Sequence, residues 1–582
     1  MVIGAAARRF PLLLAVALTL FVACAPSTVT TAPSAPGAGA PGAAARQKTI
    51  VMGISNTVES MGVVGSNTTS GGWQSVNELH SQGLATSDRD TSRPIARLAT
   101  QLPSFDAGTI ELLPDGRMRT VWALRRDVTW QDGAPFTARD MMFAFEMALD
   151  RNMPRLSLEA INLMDSAEAP DDYTWILTWK GPYYQADAVG LRAFWPHPRH
   201  LLEQPYRTLD VQGFINLPYW STEYLHLGPF RLTEFRPGDE LIFSAYEGYF
   251  LGRPKVDRVI VKIYNDETTL YSATLAGAID LLMDNSLNPD FGLQLKEVWD
   301  GNGQGTVYLG TGTTRFLAPQ FDPQYQQLAA VSDVRVRQAL MYALDRRAIS
   351  EVVQRGHGEF VANSLLPPSD RMYDAVKDGF ARYTHDPTRS RALLAQAGWT
   401  PGPDGILVAA DGRRFATPLW TTQGSEREIA IIADFWRQVG VQADQFVVPG
   451  ARVRDREYRS AYPGFETSAA GAGDAILNRL ESRQSATPPN FSGTNRGHYL
   501  NPLVDLGIDR YRQSLTERDQ GVALKGLSDT LAEELPLLLL YFNPTNPGVR
   551  KGIKALDDFR GGSEGARLYG TFTRNAHEWD VL

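Results

Sequence analysis

The chain has 582 residues, a formal net charge of −8 and a single cysteine. That charge excludes the basic footprint of a nucleic-acid binder, and one thiol excludes an intrachain disulfide, so stability has to come from core packing. An apolar fraction of 43% with 21% charged residues describes a globular protein, long enough for two or three lobes.

Arg8 and Arg9 precede an apolar run over residues 10–22, followed by Ala23 and Cys24. A charged start, a short apolar core and a small residue before the cut mark a secretory signal. The run is well short of the ~20 apolar residues that span a hydrocarbon core. Cys24 stands where a bacterial lipobox places the cysteine that receives lipid, with Phe21 where Leu is usual. Residues 1–23 are therefore predicted to be a signal peptide, and 24–46 a lipidated Cys24 with a tether. The tether is almost wholly Ala, Pro, Gly, Ser, Thr and Val. With nothing large to bury it cannot offset its ordering entropy, and it would reach on the order of 25 Å from a membrane.

The folded part is predicted to begin with a strand over residues 49–54. Residues 110–113 run into Pro114-Asp115-Gly116, after which Met118, Thr120, Trp122 and Leu124 alternate, giving a hairpin. Pro237 and Gly238 are placed for a type II turn between a strand over 230–235 and one carrying Leu241, Phe243 and Ala245. A further strand covers 259–263. Val336, Ala339, Leu340 and Ala343 repeat at helical spacing after Ser332-Asp333. Asp386-Pro387 supplies an N-cap and a first-turn proline, Leu393, Leu394 and Ala397 an apolar face, and Gly398 a stop. Strands and helices are interspersed, which favours an α/β body.

Three motifs invite other readings. Gly561-Gly562-Ser563-Glu564-Gly565 fits G-x-S-x-G, but a nucleophile elbow needs acid and histidine partners downstream, and only His577 and Asp580 follow. His197 and His200 could suggest a metal pair, yet Pro196 and Pro198 oppose a helical face carrying both. Gly301-Asn302-Gly303-Gln304-Gly305 lacks the Lys of a phosphate loop. No catalytic residues, metal ligands or cofactor are predicted, so the chain reads as a non-enzyme.

Four blocks of sequence resemble a known family. They are Asn77-Glu78-Leu79 with Gly83-Leu84 and the run 94–99; the run 130–140, which is similar to a "W-DG-P-TA-D" signature; Leu227-Gly228-Pro229-Phe230 with Pro237-Gly238-Asp239, Gly252-Arg253-Pro254 and the run 277–280; and the run 333–340 with Ala343-Leu344-Asp345-Arg346 and 394–399. In order and spacing they resemble the extracellular solute-binding proteins of family 5, which serve oligopeptide, dipeptide and nickel importers. The resemblance implies an α/β, bilobal periplasmic-binding-protein-like fold of class II, large and with an extra subdomain, its two lobes joined by a hinge. The first lobe would comprise 47–90, 221–305 and 536–582, the extra subdomain 91–220, and the second lobe 306–535. Within the second block, Asp132-Gly133 supplies a turn and Thr137 a helix cap, with Asp140 in the first turn.

The resemblance further implies a monomeric binding lipoprotein on the outer face of the bacterial cytoplasmic membrane. It would capture peptides or peptide-like solutes and deliver them to an ABC permease and its ATPase. Alternatives are a non-peptide solute such as an oligosaccharide or metal chelate, a ligand-sensing subunit, and a secreted lipoprotein hydrolase using Ser563. In peptide binders of the family an extended strand meets the peptide main chain, here over 68–74 with Trp73 its one large side chain. An aspartate for the peptide ammonium follows a strand of the second lobe, and Asp474 is the acid in that neighbourhood. The block Asn495-Arg496-Gly497-His498-Tyr499 with Asn501, Pro502 and Asp505 resembles "N-x-x-x-Y-x-N-P-x-x-D". Trp73, Asp474, Asn495 and Arg496 are the predicted ligand-binding residues, and Cys24 the predicted lipidation site.

Overall fold

The structure is a computed structural model. It describes residues 47–55, 58, 60–62, 71–88, 93–153, 159–189, 194–283, 286–368, 370–471, 473–555 and 573–582, without the side chains of 71–75. Cys24 and Ser563 lie outside the described residues. No helix among those described is long and apolar enough to cross a membrane.

Two large sheets organise the molecule. The first has seven strands, in the order Gly305–Val307, Gly548–Arg550, Leu281–Leu282, Thr49–Ile54, Arg258–Ile263, Glu240–Ala245 and Phe230–Arg236. Thr49–Ile54 lies between two parallel neighbours. Covering helices bury both faces of such a strand, which is why its sequence is nearly continuous in apolar residues. The second sheet has five strands, in the order Gln442–Val448, Ala416–Thr422, Phe465–Gly471, Gly310–Pro319 and Leu538–Thr545. Each sheet has its own core. Ile50, Met52 and Phe243 belong to one, and Phe316, Leu340, Trp436 and Leu538 to the other. The fold is bilobal.

The chain passes from the first sheet to the second between Val307 and Gly310, and returns between Thr545 and Gly548. The two crossings touch, with Tyr308 N–H donating to the Pro547 carbonyl at 2.9 Å. The return therefore lies later than the predicted boundary at 536. Leu538–Thr545 pairs antiparallel with Gly310–Pro319 and belongs to the second lobe. Asn546 fixes the crossing by donating to the carbonyls of Leu287 and Asn288 at 3.2 and 3.1 Å. A Cβ on Gly292 would fall 1.9 Å from the Asn546 amide nitrogen, so only glycine fits there.

A four-stranded antiparallel sheet, Ile110–Leu112, Met118–Ala123, Thr174–Trp179 and Met164–Asp171, forms a separate layer that shares the first core. Its first hairpin turns at Gly116, whose φ of +87° suits glycine. The Trp130 block is a turn-to-helix corner, as its residues predict. Gly133 has φ +93°, and helix Ala138–Leu149 starts from a capping box in which Thr137 N–H donates to Asp140 Oδ2 at 2.8 Å. Asp140 also accepts from Arg199 N–H at 3.0 Å, tying the corner to helix Arg199–Thr208.

Candidate functional site

The clearest meeting of the two lobes surrounds Asp474. This residue opens a short 3-10 turn, Asp474–Arg479, directly after strand Phe465–Gly471, so the sheet carries its carboxylate to the strand's end. Tyr184 reaches it from the first lobe's extra layer, and its hydroxyl donates to Asp474 Oδ2 at 2.5 Å. Tyr511, from helix Pro502–Gln513 of the second lobe, donates to the same oxygen at 3.3 Å. The two tyrosine rings pack at 5.0 Å between centroids. Tyr184 N–H also donates to the Arg512 carbonyl at 2.8 Å. Arg512 is held in turn by Glu481 Oε1 and Asn478 Oδ1, each at 2.7 Å.

The surroundings are acidic. Burial pushes the Asp370 carboxyl up to about 6, with the Asp474 charge adding to that and the Met372 N–H and Arg371 opposing it. Burial likewise raises Asp187, which lies three residues after Tyr184, and Arg371 again opposes. Asp370 thus stands near both Asp474 and Arg371, and Asp187 near Arg371, all three carboxylates being half-buried.

The other predicted site residues fall in different places. The strand expected over 68–74 is, over its described part, the opening of helix Gly71–His80. Trp73 is therefore helical, and its side chain is outside the described set. Val76 and Leu79, at helical spacing, are wholly buried. Asn495 is buried, and its carboxamide is committed to the backbone. It donates to the carbonyls of Glu481 and Tyr499 at 3.1 and 2.8 Å and accepts from Tyr499 N–H at 3.2 Å. Arg496 sits with Glu466 Oε2 at 2.7 Å and Ser468 Oγ at 3.0 Å, inside the second lobe. Of Asp474, Asn495 and Arg496, Asp474 is the one with a hydrogen bond to the opposite lobe among the described residues. Tyr184, Tyr511 and Asp370 were not singled out from sequence. Their meeting depends on contacts across hundreds of residues, and no local spacing announces it.

His197 and His200 do not share a ligand geometry. Burial lowers His197 to about 4 beside Trp220, while His200 pairs through Nε2 with Asp132 Oδ2 at 2.7 Å. Among the described residues no group of three or more His, Cys, Asp or Glu side chains could hold a metal ion.

The chain is similar to several proteins of known role. It is 26% identical to the heme-binding protein A of Haemophilus influenzae, over 72% of this chain and 77% of that one. It is 27% identical to the oligopeptide-binding protein AppA of Bacillus subtilis, over 74% and 76%. Among solved structures, the oligopeptide-binding protein of Thermus thermophilus with a pentapeptide superposes with a TM-score of 0.69 at 22% identity, covering 92% of this chain and 96% of that one. NikZ of Campylobacter jejuni with Ni(L-His) gives 0.70 at 21%, covering 91% and 99%. These superpositions establish a shared fold. Residues 97–484 match the model of the bacterial extracellular solute-binding proteins, family 5, in its middle part, and the chain belongs to that family.

Proposed function

We propose that this protein is the lipid-anchored binding subunit of an ABC importer, capturing peptides or peptide-like solutes with a free ammonium between its lobes. The observation that carries this reading is the carboxylate of Asp474, which receives hydroxyls from both lobes. Both hydroxyls fall on Oδ2, and among the described residues Oδ1 has no hydrogen-bond donor, so it can accept from a solute. Asp370 stands near it, and an ammonium there would be paired as a buried charge requires. The named relatives that bind oligopeptides support the solute class.

Closure about the crossings at 307–310 and 545–548 would bring Tyr184 onto Asp474, so solute capture and lobe docking use the same carboxylate. A bare metal ion is not the proposed cargo, because its ligands would have to come with it as a chelate. The lipobox supports anchoring through Cys24, and release of the protein from membranes by Cys24→Ser would be the expected outcome. The test of the cargo is native mass spectrometry of the purified protein. A co-purifying peptide, lost after mild unfolding and refolding, is the expected result. A metal chelate or saccharide in its place would overturn the peptide reading.

A further inference from the structure

The junction at Asp474 is completed by the chain itself. Trp179 ends strand Thr174–Trp179 and is wholly buried in the first core. Between centroids, its ring lies 5.1 Å from Tyr183, Tyr183 lies 5.3 Å from Tyr184, and Tyr184 lies 5.0 Å from Tyr511. Four rings thus run without a break from the interior of the first lobe to Tyr511, which is buried in the second. Tyr184 packs against both hydrophobic cores at once. An arm of packed rings has few rotamers left to lose, so docking it costs little ordering entropy.

Docking also pairs the polar groups that it brings together. The hydroxyls of Tyr184 and Tyr511 both give to Asp474 Oδ2, and Tyr184 N–H gives to the Arg512 carbonyl at 2.8 Å. Arg512 cannot drift away, because Glu481 and Asn478 hold its guanidinium. A cleft that needed its solute in order to close would, when closed empty, strip water from groups that only the solute satisfies. Here the chain's own donors meet the acceptors. Charge crosses the junction as well. Arg93 of the first lobe pairs with Glu517 of the second at 2.9 Å, both side chains solvated. Glu517 also takes Arg371 at 3.4 Å, and Arg371 in turn opposes Asp187 of the first lobe.

We propose that Tyr184 is an interlobe latch that closes the protein without solute, so that the unliganded chain is mainly closed and solute enters through a minor open form. The latch consists of the chain's own groups, so the inference does not rest on the reading of the cargo. A metal chelate or a saccharide in the cleft would leave it standing. Its consequence is kinetic. If only the open form admits solute, an open fraction of about 1–10% slows entry by about 10- to 100-fold.

The test is hydrogen exchange of the full chain, freed of co-purified solute as checked by native mass spectrometry. The probe is the Tyr184 amide, whose acceptor belongs to the other lobe. It should be protected in the solute-free wild type. Tyr184→Phe keeps the ring but loses the hydroxyl, and should speed its exchange by about tenfold. Glu517→Gln alters a solvated group of the second lobe, and should speed the same first-lobe amide by about two- to threefold. Amides of strand Thr174–Trp179 should keep their protection in both variants, which shows that the lobes have parted and that the fold has not loosened. Unprotected exchange at Tyr184 in the solute-free wild type, or protection that neither folded variant reduces, would overturn the proposal.

Discussion

The two lobes keep their buried polar groups in opposite ways. In the first, the interior histidines are neutral. Burial lowers His80 to about 3 and His197 to about 4, and holds His226 well below its ordinary value, with His197 and His80 adding to that. They pack as aromatic rings, His80 stacking on Phe243 and His226 on Tyr224. In the second lobe the interior cations are charged and fastened. Arg315 pairs with Glu428, Arg459 and Arg496 with Glu466, and Arg512 with Glu481. Arg346 is held by the carbonyls of Ala362, Leu539, Phe380 and Tyr383 and by Asn363. One interior thus depends on keeping protons out, the other on keeping ion partners in. The lobes should fail under different insults.

The largest expected effect comes from removing one ion partner. Glu428 accepts from Arg315 Nε at 3.2 Å and from the Tyr541 hydroxyl at 3.1 Å, deep in the second core. Glu428→Ala leaves Arg315 buried without its counter-charge and should cost about 3–5 kcal/mol in denaturant unfolding. The loss should be confined to the transition that reports the second lobe. A cost below ~1 kcal/mol would mean that the pair adds nothing to stability.

Acid should act on the first lobe. Its histidines stay neutral in the fold, whereas unfolded histidine takes a proton below about pH 6.5. The unfolded state then binds more protons, so stability falls as pH drops from about 6.5 toward 4. At pH 4.5 each such histidine costs about 2–3 kcal/mol. Asp370 in the second lobe works the other way. Its raised value lets the native state take the proton first, adding stability as pH falls from about 6 toward its unfolded value near 3.8. A pH series of melting curves should therefore show the first lobe melting ahead of the second in acid, with His197→Phe flattening the slope. A common pH dependence for both lobes would break the comparison.

Two smaller effects sharpen it. Thr137→Ala removes the side-chain half of the capping box that starts helix Ala138–Leu149, leaving the backbone bond to Asp140, and should cost about 1 kcal/mol or less, read in the first-lobe transition. Arg355 of the second lobe meets Asp290 and Glu297 of the first at 3.4 and 3.2 Å, with all three side chains solvated. Arg355→Ala should change stability by less than ~1 kcal/mol, and a larger loss would assign this contact a structural weight that exposed pairs do not carry.

Much of this architecture was legible because it is written locally. Asp386 caps helix Pro387–Gln396 by accepting from Arg389 N–H at 2.8 Å, and Gly398 ends the run with φ +90°. Gly116 and Gly238 turn the hairpins their sequences announce. Where the reading departed, the cause was specific. The family resemblance implies an extended Trp73 segment, whereas Val76 and Leu79 carry helical spacing and are buried as such. The boundary at 536 was misplaced because the apolar run 537–542 suits either sheet, while Asn546 and Pro547 mark the true crossing. Asp474 is a candidate through the family resemblance, which places an acid after a strand of the second lobe. Tyr184 and Tyr511 are not, because a contact between two lobes leaves no period in either segment. Arg496 carries a charge that sequence reveals, but its partner Glu466 is thirty residues away and only the fold brings them together.

On the proposed function, Asp474 is the point where an ammonium-bearing solute meets both lobes. Calorimetric titration of a short free-amine peptide and its N-acetylated twin, against wild type and Asp474→Asn, tests this most directly. The wild type should bind the free amine and lose most of that affinity for the acetylated form. Asp474→Asn should bind the free amine more weakly by on the order of 2–5 kcal/mol, with its unliganded melting temperature little changed. Equal binding of both peptides by the wild type, or an unchanged affinity in Asp474→Asn, would contradict it.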